Sequence, residues 1–151
     1  MKALIQRVKS AQVRVDSEII GEIGVGWLVL LGVARGDSGA ETMKLVDKIT
    51  GLRLFPDAEG RFNLSVLDVS GSILVVSQFT LYADCSRGRR PSFTDAAEPE
   101  KANQLYEQFI GELRMKNLPV ATGRFGADME VSLVNDGPVT ILLDSATWSA
   151  N

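Results

Sequence analysis

The hydrophobic and polar positions at the start of the chain alternate with a period of two. Val13 and Val15 alternate with Arg14 and Asp16, and in residues 3–8 we set Leu4, Gln6 and Val8 on one face against Ala3, Ile5 and Arg7 on the other. A period of two with β-branched residues is typical of β-strands. The run WLVLLGVA, residues 27–34, is apolar throughout and fits a strand buried on both faces, and residues 72–82 are predicted to form another strand.

Two segments change to a helical period. Ser38 followed by Glu41 offers a capping box, and the spacing of the next apolar residues predicts a helix over residues 39–50 that ends at Gly51. A second helix is predicted from Pro99, which suits a first helical turn, because an amphipathic stripe follows it. The members of this stripe are Ala102, Leu105, Tyr106, Phe109, Ile110 and Leu113.

The order of these segments predicts the fold class. Two or three further strands are expected between Val120 and Asp144, so the chain has many strands, two main helices and no regular alternation of strand and helix. That order predicts an α+β fold with a largely antiparallel, barrel-like sheet. No repeat or linker interrupts the pattern, and residues 1–151 are therefore expected to form a single domain.

The composition is that of an ordinary soluble domain. The chain has 151 residues, 45% hydrophobic and 23% charged, and no apolar run approaches the roughly 20 residues of a membrane span. Its first residues lack the apolar stretch of a signal peptide, and its single cysteine, Cys85, fits a reducing compartment. We therefore expect a cytoplasmic protein that does not contact a membrane.

The chain contains no histidine. This excludes His-based catalytic triads and His-ligated zinc, and one cysteine is too few for a cysteine-rich zinc site. The glycines match neither a phosphate-binding loop nor a dinucleotide-binding motif. We therefore expect no metal and no cofactor. An enzyme built on this chain would use hydroxyl, amine or carboxylate side chains, backbone dipoles or a group of its substrate.

The sequence SQFTLY, residues 77–82, places polar residues directly after the apolar run ILVV. Ser77, Gln78 and Thr80 surround Phe79, an arrangement expected where the end of a strand opens into a pocket. The alternative is a half-exposed strand in which Ser77 and Thr80 face water.

The sequence VNDGPVT, residues 134–140, lies between two apolar runs near the end of the chain. Asn, Asp, Gly and Pro all favour turns, so residues 135–138 are predicted to reverse the chain between two strands. Taken alone, this turn is either a plain hairpin connection or a backbone segment that contributes to a site.

Charged residues give weaker signals. The net charge is −3 and the sequence pI is about 5.0, so no general basic surface is expected. Arg87, Arg89 and Arg90 either bind phosphates through their guanidinium groups or keep a loop solvated. Asp128 and Glu130 form either an acid–base pair or a charged strand face.

Four segments together resemble one protein family. They are ALIQRV near the start, SQFTLYAD, RPSF at residues 90–93, and TGRFGADMEVSLVNDGPVT. In this order they are similar to the D-aminoacyl-tRNA deacylase family, whose members remove D-amino acids from mischarged tRNA. The resemblance covers about residues 1–144 and includes two signatures, SQFTL at Ser77–Leu81 and N-x-G-P-x-T at Asn135–Thr140. Residues 145–151 form a tail that matches no pattern of the family.

The resemblance implies a homodimer with two active sites at its interface, in a barrel-like fold that carries helices. It also implies a cis peptide bond between Gly137 and Pro138, which would reach into the partner's pocket and be braced by Arg7. The positions that match the family's catalytic pocket are Ser77, Gln78, Phe79 and Thr80. The positions that match its substrate-binding and chiral-selection residues are Phe125, Met129, Asn135, Thr140, Gly137, Pro138 and Arg7.

The implied reaction needs no strong base from the protein. The ester of D-aminoacyl-tRNA is hydrolysed to a free D-amino acid and tRNA, and the ribose 2′-OH beside the ester assists the attacking water. Backbone N–H groups near Phe79 and Thr80 would stabilise the oxyanion. Covalent catalysis by Thr80 is the competing mechanism, although no base lies nearby in sequence to activate this hydroxyl.

The implied partner is tRNA, bound through its aminoacylated 3′ end. Arg87, Arg89 and Arg90 would form a basic rim for the acceptor end. A chirality filter made of backbone atoms would exclude an L side chain by steric clash, so cleavage of mischarged glycyl-tRNA(Ala) is expected as well. The alternative function is a tRNA-binding module of the same fold that does not hydrolyse its ligand.

Overall fold

The computed structural model describes residues 1–148, which form eight strands, two α-helices and two short 3₁₀ turns. The helices are α1 (Gly39–Gly51) and α2 (Pro99–Met115). The 3₁₀ turns are Phe79–Tyr82 and Ser145–Thr147. The strands are β1 (Lys2–Val15), β2 (Glu18–Ile23), β3 (Gly26–Gly32), β4 (Phe55–Pro56), β5 (Phe62–Leu64), β6 (Ser72–Ser77), β7 (Val120–Thr122) and β8 (Glu130–Asp144).

Six strands form one sheet in the order β2-β1-β3-β6-β7, with β8 also paired to β1. β1 is antiparallel to β2, β3 and β8, whereas β3 and β6, and β6 and β7, are parallel. The α+β class is as expected, whereas the largely antiparallel sheet is not confirmed: the sheet is mixed, with three antiparallel and two parallel strand pairings. The reason is that α1 and α2 connect neighbouring strands as crossovers, and the apolar runs of β3 and β6 are typical of parallel strands covered on both faces.

The central strands β3 and β6 separate two hydrophobic cores. On one face, Val29 and Val75 pack with the apolar residues of α1 and α2. On the other face, Leu28 and Leu74 pack with residues of β1 and β2 inside the nearly closed sheet. Burial on both faces explains why these strands show no alternation in the sequence.

The sheet nearly closes where β2 approaches β7. A Cβ atom added to Gly21 would lie 2.6 Å from the carbonyl oxygen of Thr122. A glycine is therefore required at this position, because any side chain would push the two strands apart.

Both helices lie where the sequence predicts them. Glu41 accepts a hydrogen bond from the N–H of Ser38 at 2.8 Å, and the hydroxyl of Ser38 accepts one from the N–H of Ala40 at 3.3 Å, which completes the capping box of α1. Pro99 occupies the first turn of α2, and the predicted apolar stripe of α2 is buried. Among residues 1–148, neither helix combines the length and the apolar character that crossing a membrane requires.

The segment VNDGPVT does not reverse the chain, so the predicted turn is wrong. The residues before and after it belong to the same strand, β8, which stays antiparallel to β1. Gln6 pairs with Thr140 and Ser10 with Val134, so three residues of β1 face five residues of β8, residues 135–139. β1 pairs with β8 both before and after residues 135–139. The turn-forming residues therefore bulge locally out of the strand and do not reverse it. We call residues 135–139 the Gly-Pro excursion.

The strand predicted over residues 72–82 ends at Ser77. The N–H of Gln78 still donates to the carbonyl of Leu31 at 2.8 Å, and the chain then leaves the sheet. The 3₁₀ turn begins at once, with a hydrogen bond of 3.3 Å from the N–H of Leu81 to the carbonyl of Gln78. The polar residues of SQFTLY therefore mark the end of a strand.

The α-amino group of Met1 is buried and connects two distant segments. It donates hydrogen bonds of 2.7 Å to the carboxylate of Asp37 and to the hydroxyl of Ser145. The second carboxylate oxygen of Asp37 accepts from the N–H of Ala34 at 2.6 Å. Ser145 begins the tail that matched no family pattern, and residues 149–151 of that tail lie outside the described residues.

Candidate active site

A pocket of about 460 Å³ lies at the end of β6. Ser77, Gln78 and Phe79 line one side of it, where the chain leaves the sheet. Phe125 and Met129 line another side, from the segment between β7 and β8. The remaining lining residues are Leu31, Val33, Val76, Pro99, Ala102, Gly126, Ala127, Asp128 and Val131.

Almost none of the described side chains that line the pocket are ionisable. Within residues 1–148, Asp128 is the one ionisable side chain that lines it, and this side chain is exposed. Glu130 is not among the lining residues, so the two carboxylates do not form a pair inside the pocket. Across residues 1–148, no cluster of three acidic or cysteine side chains could hold a metal ion. The polar groups that line this pocket are therefore mainly backbone groups and neutral side chains.

The 3₁₀ turn beside the pocket presents two backbone donors. The N–H groups of Phe79 and Thr80 donate to no acceptor in the described part of the chain. The hydroxyl of Thr80 accepts a hydrogen bond from the side-chain amide of Gln78. Two adjacent N–H groups without protein acceptors can stabilise negative charge that develops on a bound ester.

The side chains of Lys2 and Phe93 contact the 3₁₀ turn. The ammonium of Lys2 lies 3.4 Å from the carbonyl of Leu81 and 4.7 Å from the centre of the Tyr82 ring. Burial raises the pKa of Tyr82, and nearby carboxylates reinforce this shift, so its hydroxyl stays neutral. Phe79 packs edge-on against Phe93, with ring centres 4.9 Å apart.

Gly137 and Pro138 form the tip of the Gly-Pro excursion, and the peptide bond between them is cis. Gly137 has a φ angle of +140°, which side chains rarely allow. A Cβ atom at Gly137 would lie 3.3 Å from the guanidinium of Arg7 and 2.8 Å from the side chain of Val139. Glycine is therefore the residue that fits this position.

Arg7 lies beneath the Gly-Pro excursion and is 7% exposed. Its Nε donates to the carbonyl oxygen of Asp136 at 3.0 Å, and its Nη1 donates to the carbonyl oxygen of Leu54 at 2.5 Å. The carboxylate of Asp136 lies 3.8 Å from the same Nε. These contacts satisfy a buried cation and fix the backbone that enters Gly137.

Asn135 and Thr140 close the base of the Gly-Pro excursion. The side-chain amide of Asn135 donates to the hydroxyl of Thr140 at 2.9 Å, and its carbonyl oxygen accepts from the N–H of Val139 at 3.0 Å. Gln6 of β1 donates to the same hydroxyl at 3.2 Å. The side chains of Asn135 and Thr140 therefore stabilise the backbone conformation of the Gly-Pro excursion.

The residues expected to form the site fall into two separate groups in one chain. Gly137 and Pro138 are exposed and do not line the pocket of their own chain. One group surrounds the pocket: Ser77, Gln78, Phe79, Phe125 and Met129, with Thr80 in the adjoining turn. The other surrounds the Gly-Pro excursion: Arg7, Asn135, Gly137, Pro138 and Thr140.

The three arginines lie in an exposed loop that follows the 3₁₀ turn. Asp84 and Ser92 close this loop through two backbone hydrogen bonds of 2.7 and 2.9 Å. Arg87, Arg89 and Arg90 form no ion pair with any residue in the range 1–148. Their guanidinium groups are thus available to a polyanion.

Sequence reasoning missed what α2 contributes to the pocket. Pro99 and Ala102 line it, although the sequence had assigned them only to the first turn and to the buried stripe of a helix. The small side chain of Ala102, at the start of a stripe of larger residues, is the one signal that could have indicated an adjacent cavity.

Comparison with known proteins agrees with the sequence signatures. The model of the family described as D-Tyr-tRNA(Tyr) deacylase matches residues 4–144. A D-aminoacyl-tRNA deacylase of Roseiflexus sp. (strain RS-1) is 62% identical over 148 residues, which cover 98% of this chain and 96% of the relative. The D-aminoacyl-tRNA deacylase of Thermosipho melanesiensis (strain DSM 12029 / CIP 104789 / BI429) is 58% identical over 146 residues, or 96% and 97% of the two chains.

The solved structures with a similar fold include the following two. A protein named c-Myc DNA Unwinding Element Binding Protein is 43% identical, with a TM-score of 0.90 over 95% of this chain and 98% of that chain. A probable eukaryotic D-amino acid tRNA deacylase is 17% identical, with a TM-score of 0.78 over 94% and 97%. The second likeness concerns the fold alone.

Proposed function

The chain belongs to the D-Tyr-tRNA(Tyr) deacylase family and is a hydrolase acting on the ester of D-aminoacyl-tRNA, and we propose that it does so in the pocket at the end of β6. The observation that carries this proposal is a pocket with a polar strand end and two free N–H donors but no basic side chain. Because its substrate is tRNA, we expect the protein to act in the cytoplasm.

The reaction uses a group of the substrate as the missing base. Water attacks the ester carbonyl carbon, and the neighbouring 2′-OH of the ribose orients this water and assists its deprotonation. The N–H groups of Phe79 and Thr80 stabilise the oxyanion, an effect of about 10²–10³ in rate per donor in other enzymes. The bond to the ribose 3′ oxygen then breaks, and that oxygen leaves with a proton.

Covalent catalysis by Thr80 is the weaker mechanism. A threonine hydroxyl needs a base to become a nucleophile. The hydroxyl of Thr80 instead accepts a hydrogen bond from the neutral amide of Gln78, and the pocket lining includes no base other than exposed Asp128.

We propose that two copies of the chain complete each other's sites. Gly137 and Pro138 are exposed in their own chain, and β8 pairs only with β1 within residues 1–148. The free edge of β8 carries exposed Val134 and Leu142, which are 53% and 54% exposed. An open edge with apolar side chains favours pairing with another chain. In this homodimer the Gly-Pro excursion of one subunit enters the pocket of the other.

The Gly-Pro excursion then acts as the chirality filter. Backbone atoms held by Arg7 cannot move aside, so an L side chain clashes with them while a D side chain points away. Glycine has no side chain to exclude, so mischarged glycyl-tRNA(Ala) is also a substrate. Because the filter consists of backbone, it selects handedness and accepts many different side chains.

Contact with the tRNA is made through local basic segments of the surface. The chain has a net charge of −3, which does not favour a broad RNA interface. Arg87, Arg89 and Arg90 lie in a loop joined to the pocket through the packing of Phe93 on Phe79. They bind phosphates of the acceptor end and place the aminoacylated 3′ end over the pocket.

A second candidate is nucleic-acid binding without hydrolysis, which includes a tRNA-binding module. The name of one similar solved structure, a DNA unwinding element binding protein, favours this alternative. Release of free amino acid by the pure protein separates the two functions.

One experiment tests both the activity and the filter. Pure protein is incubated with D-tyrosyl-tRNA, L-tyrosyl-tRNA and glycyl-tRNA(Ala), and the rate of ester loss is compared with spontaneous hydrolysis. We expect fast loss of the D-tyrosyl and glycyl esters and no acceleration for the L-tyrosyl ester. Binding of D-tyrosyl-tRNA without any acceleration would support the binding module, and equal rates for both tyrosyl esters would refute the filter.

A further inference from the structure

A second, larger groove lies outside the pocket at the end of β6. It has a volume of about 850 Å³ and is lined by Lys44, Asp47, Lys48, Gly51, Leu52, Arg53 and Trp148. It shares no lining residue with the pocket at the end of β6. We call it the α1 groove, because most of its residues belong to α1 or follow it directly.

Among residues 1–148, the side chains that line the α1 groove carry more positive than negative charge. Within this range the single lining acid is Asp47, and it is already paired with Lys116 at 2.7 Å. Lys44, Lys48 and Arg53 form no ion pair in the part of the chain that the structure describes. In a chain with a net charge of −3, such a local excess of positive charge indicates a site for an anion.

The positions of these cations suit a strand of phosphates. Lys44 and Lys48 are four residues apart on α1, which places them on one face with about 5–6 Å between Cβ atoms. The guanidinium of Arg53 is held by Asn63, whose carbonyl oxygen accepts from Nε at 2.7 Å. A fixed guanidinium and two neighbouring ammonium groups can contact successive phosphates of one nucleic-acid strand.

Trp148 adds an aromatic surface to the same groove. Its ring is half-buried, and the ammonium of Lys48 lies 5.5 Å from the centre of the ring. Aromatic rings beside cations are a common arrangement for binding nucleotides outside a paired helix.

We propose that the α1 groove binds the phosphate backbone of the tRNA substrate at a point beyond its aminoacylated end. This rests on the proposed function, because it assumes that tRNA occupies the pocket at the same time. The groove adds affinity for the body of the tRNA and takes no part in breaking the ester.

The test separates the two sites by the length of the substrate. KM and kcat are measured for Lys44→Ala/Lys48→Ala with full-length D-tyrosyl-tRNA and with a D-tyrosyl ester of a short CCA oligonucleotide. We expect a KM several-fold higher for the full-length substrate, with kcat unchanged and with both constants unchanged for the short substrate. The dependence of log Kd on log salt should flatten by about 0.7–0.9 for each lost phosphate contact.

Two controls make the result decisive. Lys44→Arg/Lys48→Arg keeps the charge and should retain the wild-type KM. Trp27 is fully buried, so a change in tryptophan fluorescence on adding uncharged tRNA should come from Trp148 and disappear in Trp148→Phe.

An unchanged KM for full-length D-tyrosyl-tRNA, or an equal rise in KM for the short ester, would overturn this proposal, even if the groove binds another partner. Wild-type protein that hydrolyses neither substrate would refute the proposed function. The affinity of Lys44→Ala/Lys48→Ala for uncharged tRNA would still decide the role of the groove.

Discussion

The Nε atom of Arg7 donates a hydrogen bond of 3.0 Å to the carbonyl oxygen of Asp136, the residue immediately before Gly137. The same guanidinium donates to the carbonyl of Leu54, just before β4. One buried side chain therefore connects the Gly-Pro excursion to a second, independent segment. A planar guanidinium holds two acceptors in fixed directions, which a lysine ammonium does not.

Arg7→Lys should lower kcat/KM for D-tyrosyl-tRNA by about 10²-fold, since a displacement of about 1 Å at a positioning group has that effect. The matched control is Arg14→Lys on the same strand, where the guanidinium makes only a surface contact of 3.4 Å with the carbonyl of Ser17. Deacylation rates and thermal unfolding of both variants provide the measurement. Full activity in folded Arg7→Lys would show that the excursion needs no brace.

Mixing two inactive variants should restore activity if each site draws on two subunits. Arg7→Ala disturbs the Gly-Pro excursion but leaves its own pocket intact, whereas Ala127→Trp fills the pocket from a turn and leaves the excursion intact. Mixed dimers then contain one site with both intact parts. Unfolding and refolding the variants together should give deacylase activity that neither variant has alone. Mixed dimers without activity would place both parts of the site in one subunit.

Thr80→Ala should deacylate D-tyrosyl-tRNA at close to the wild-type rate, because the N–H of residue 80 remains. Replacing the 2′-OH of the terminal ribose with hydrogen, with the amino acid on the 3′ oxygen, should lower the rate by about 10²-fold or more. Single-turnover assays measure both rates. Loss of activity in Thr80→Ala with normal tRNA binding would instead support covalent catalysis.

Asp37→Asn should destabilise the protein by about 3–5 kcal/mol, because the buried ammonium of Met1 then lacks a counter-charge. Ser145→Ala removes the other hydrogen bond to the same group and should cost only about 1 kcal/mol. Urea unfolding followed by circular dichroism gives both free energies of unfolding. Equal effects would mean that the charge of Asp37 is unimportant.

Replacing Arg87, Arg89 and Arg90 together with alanine should weaken tRNA binding and flatten its salt dependence by about 0.7–0.9 for each lost phosphate contact. Arg114→Ala, on the exposed face of α2, serves as the control for a general loss of charge. Titrations at several salt concentrations provide the slopes. A dependence of log Kd on log salt equal to that of the wild type would show that these arginines do not contact the tRNA phosphates.

Both helices could be predicted because their signals are local. Ser38 and Glu41 lie within one turn of each other, and the stripe of α2 repeats over three turns. The strand predicted over residues 72–82 was five residues too long, although the change to polar residues in SQFTLY did indicate where it ends. In each case the residues that determine the structure are neighbours in the sequence.

The errors came from contacts between distant residues. Residues 135–138 have every local property of a turn, but pairing of β1 with both halves of β8 prevents a reversal. The parallel pairing of β3 with β6 depends on how α1 crosses over, which apolar runs alone do not specify. The contact of Met1 with Asp37 links residues far apart in sequence, and neither residue carries a motif.

The Gly-Pro excursion gives β8 two more residues than the facing part of β1. Because side chains on a strand alternate with a period of two, an even surplus keeps both halves of β8 in phase, and Leu133 and Ile141 are both less exposed than the residues beside them. Deleting one residue from the excursion would turn the apolar side of one half toward water, whereas deleting two would not. The length of this segment can therefore change only in pairs, which is a rule for any redesign of the loop.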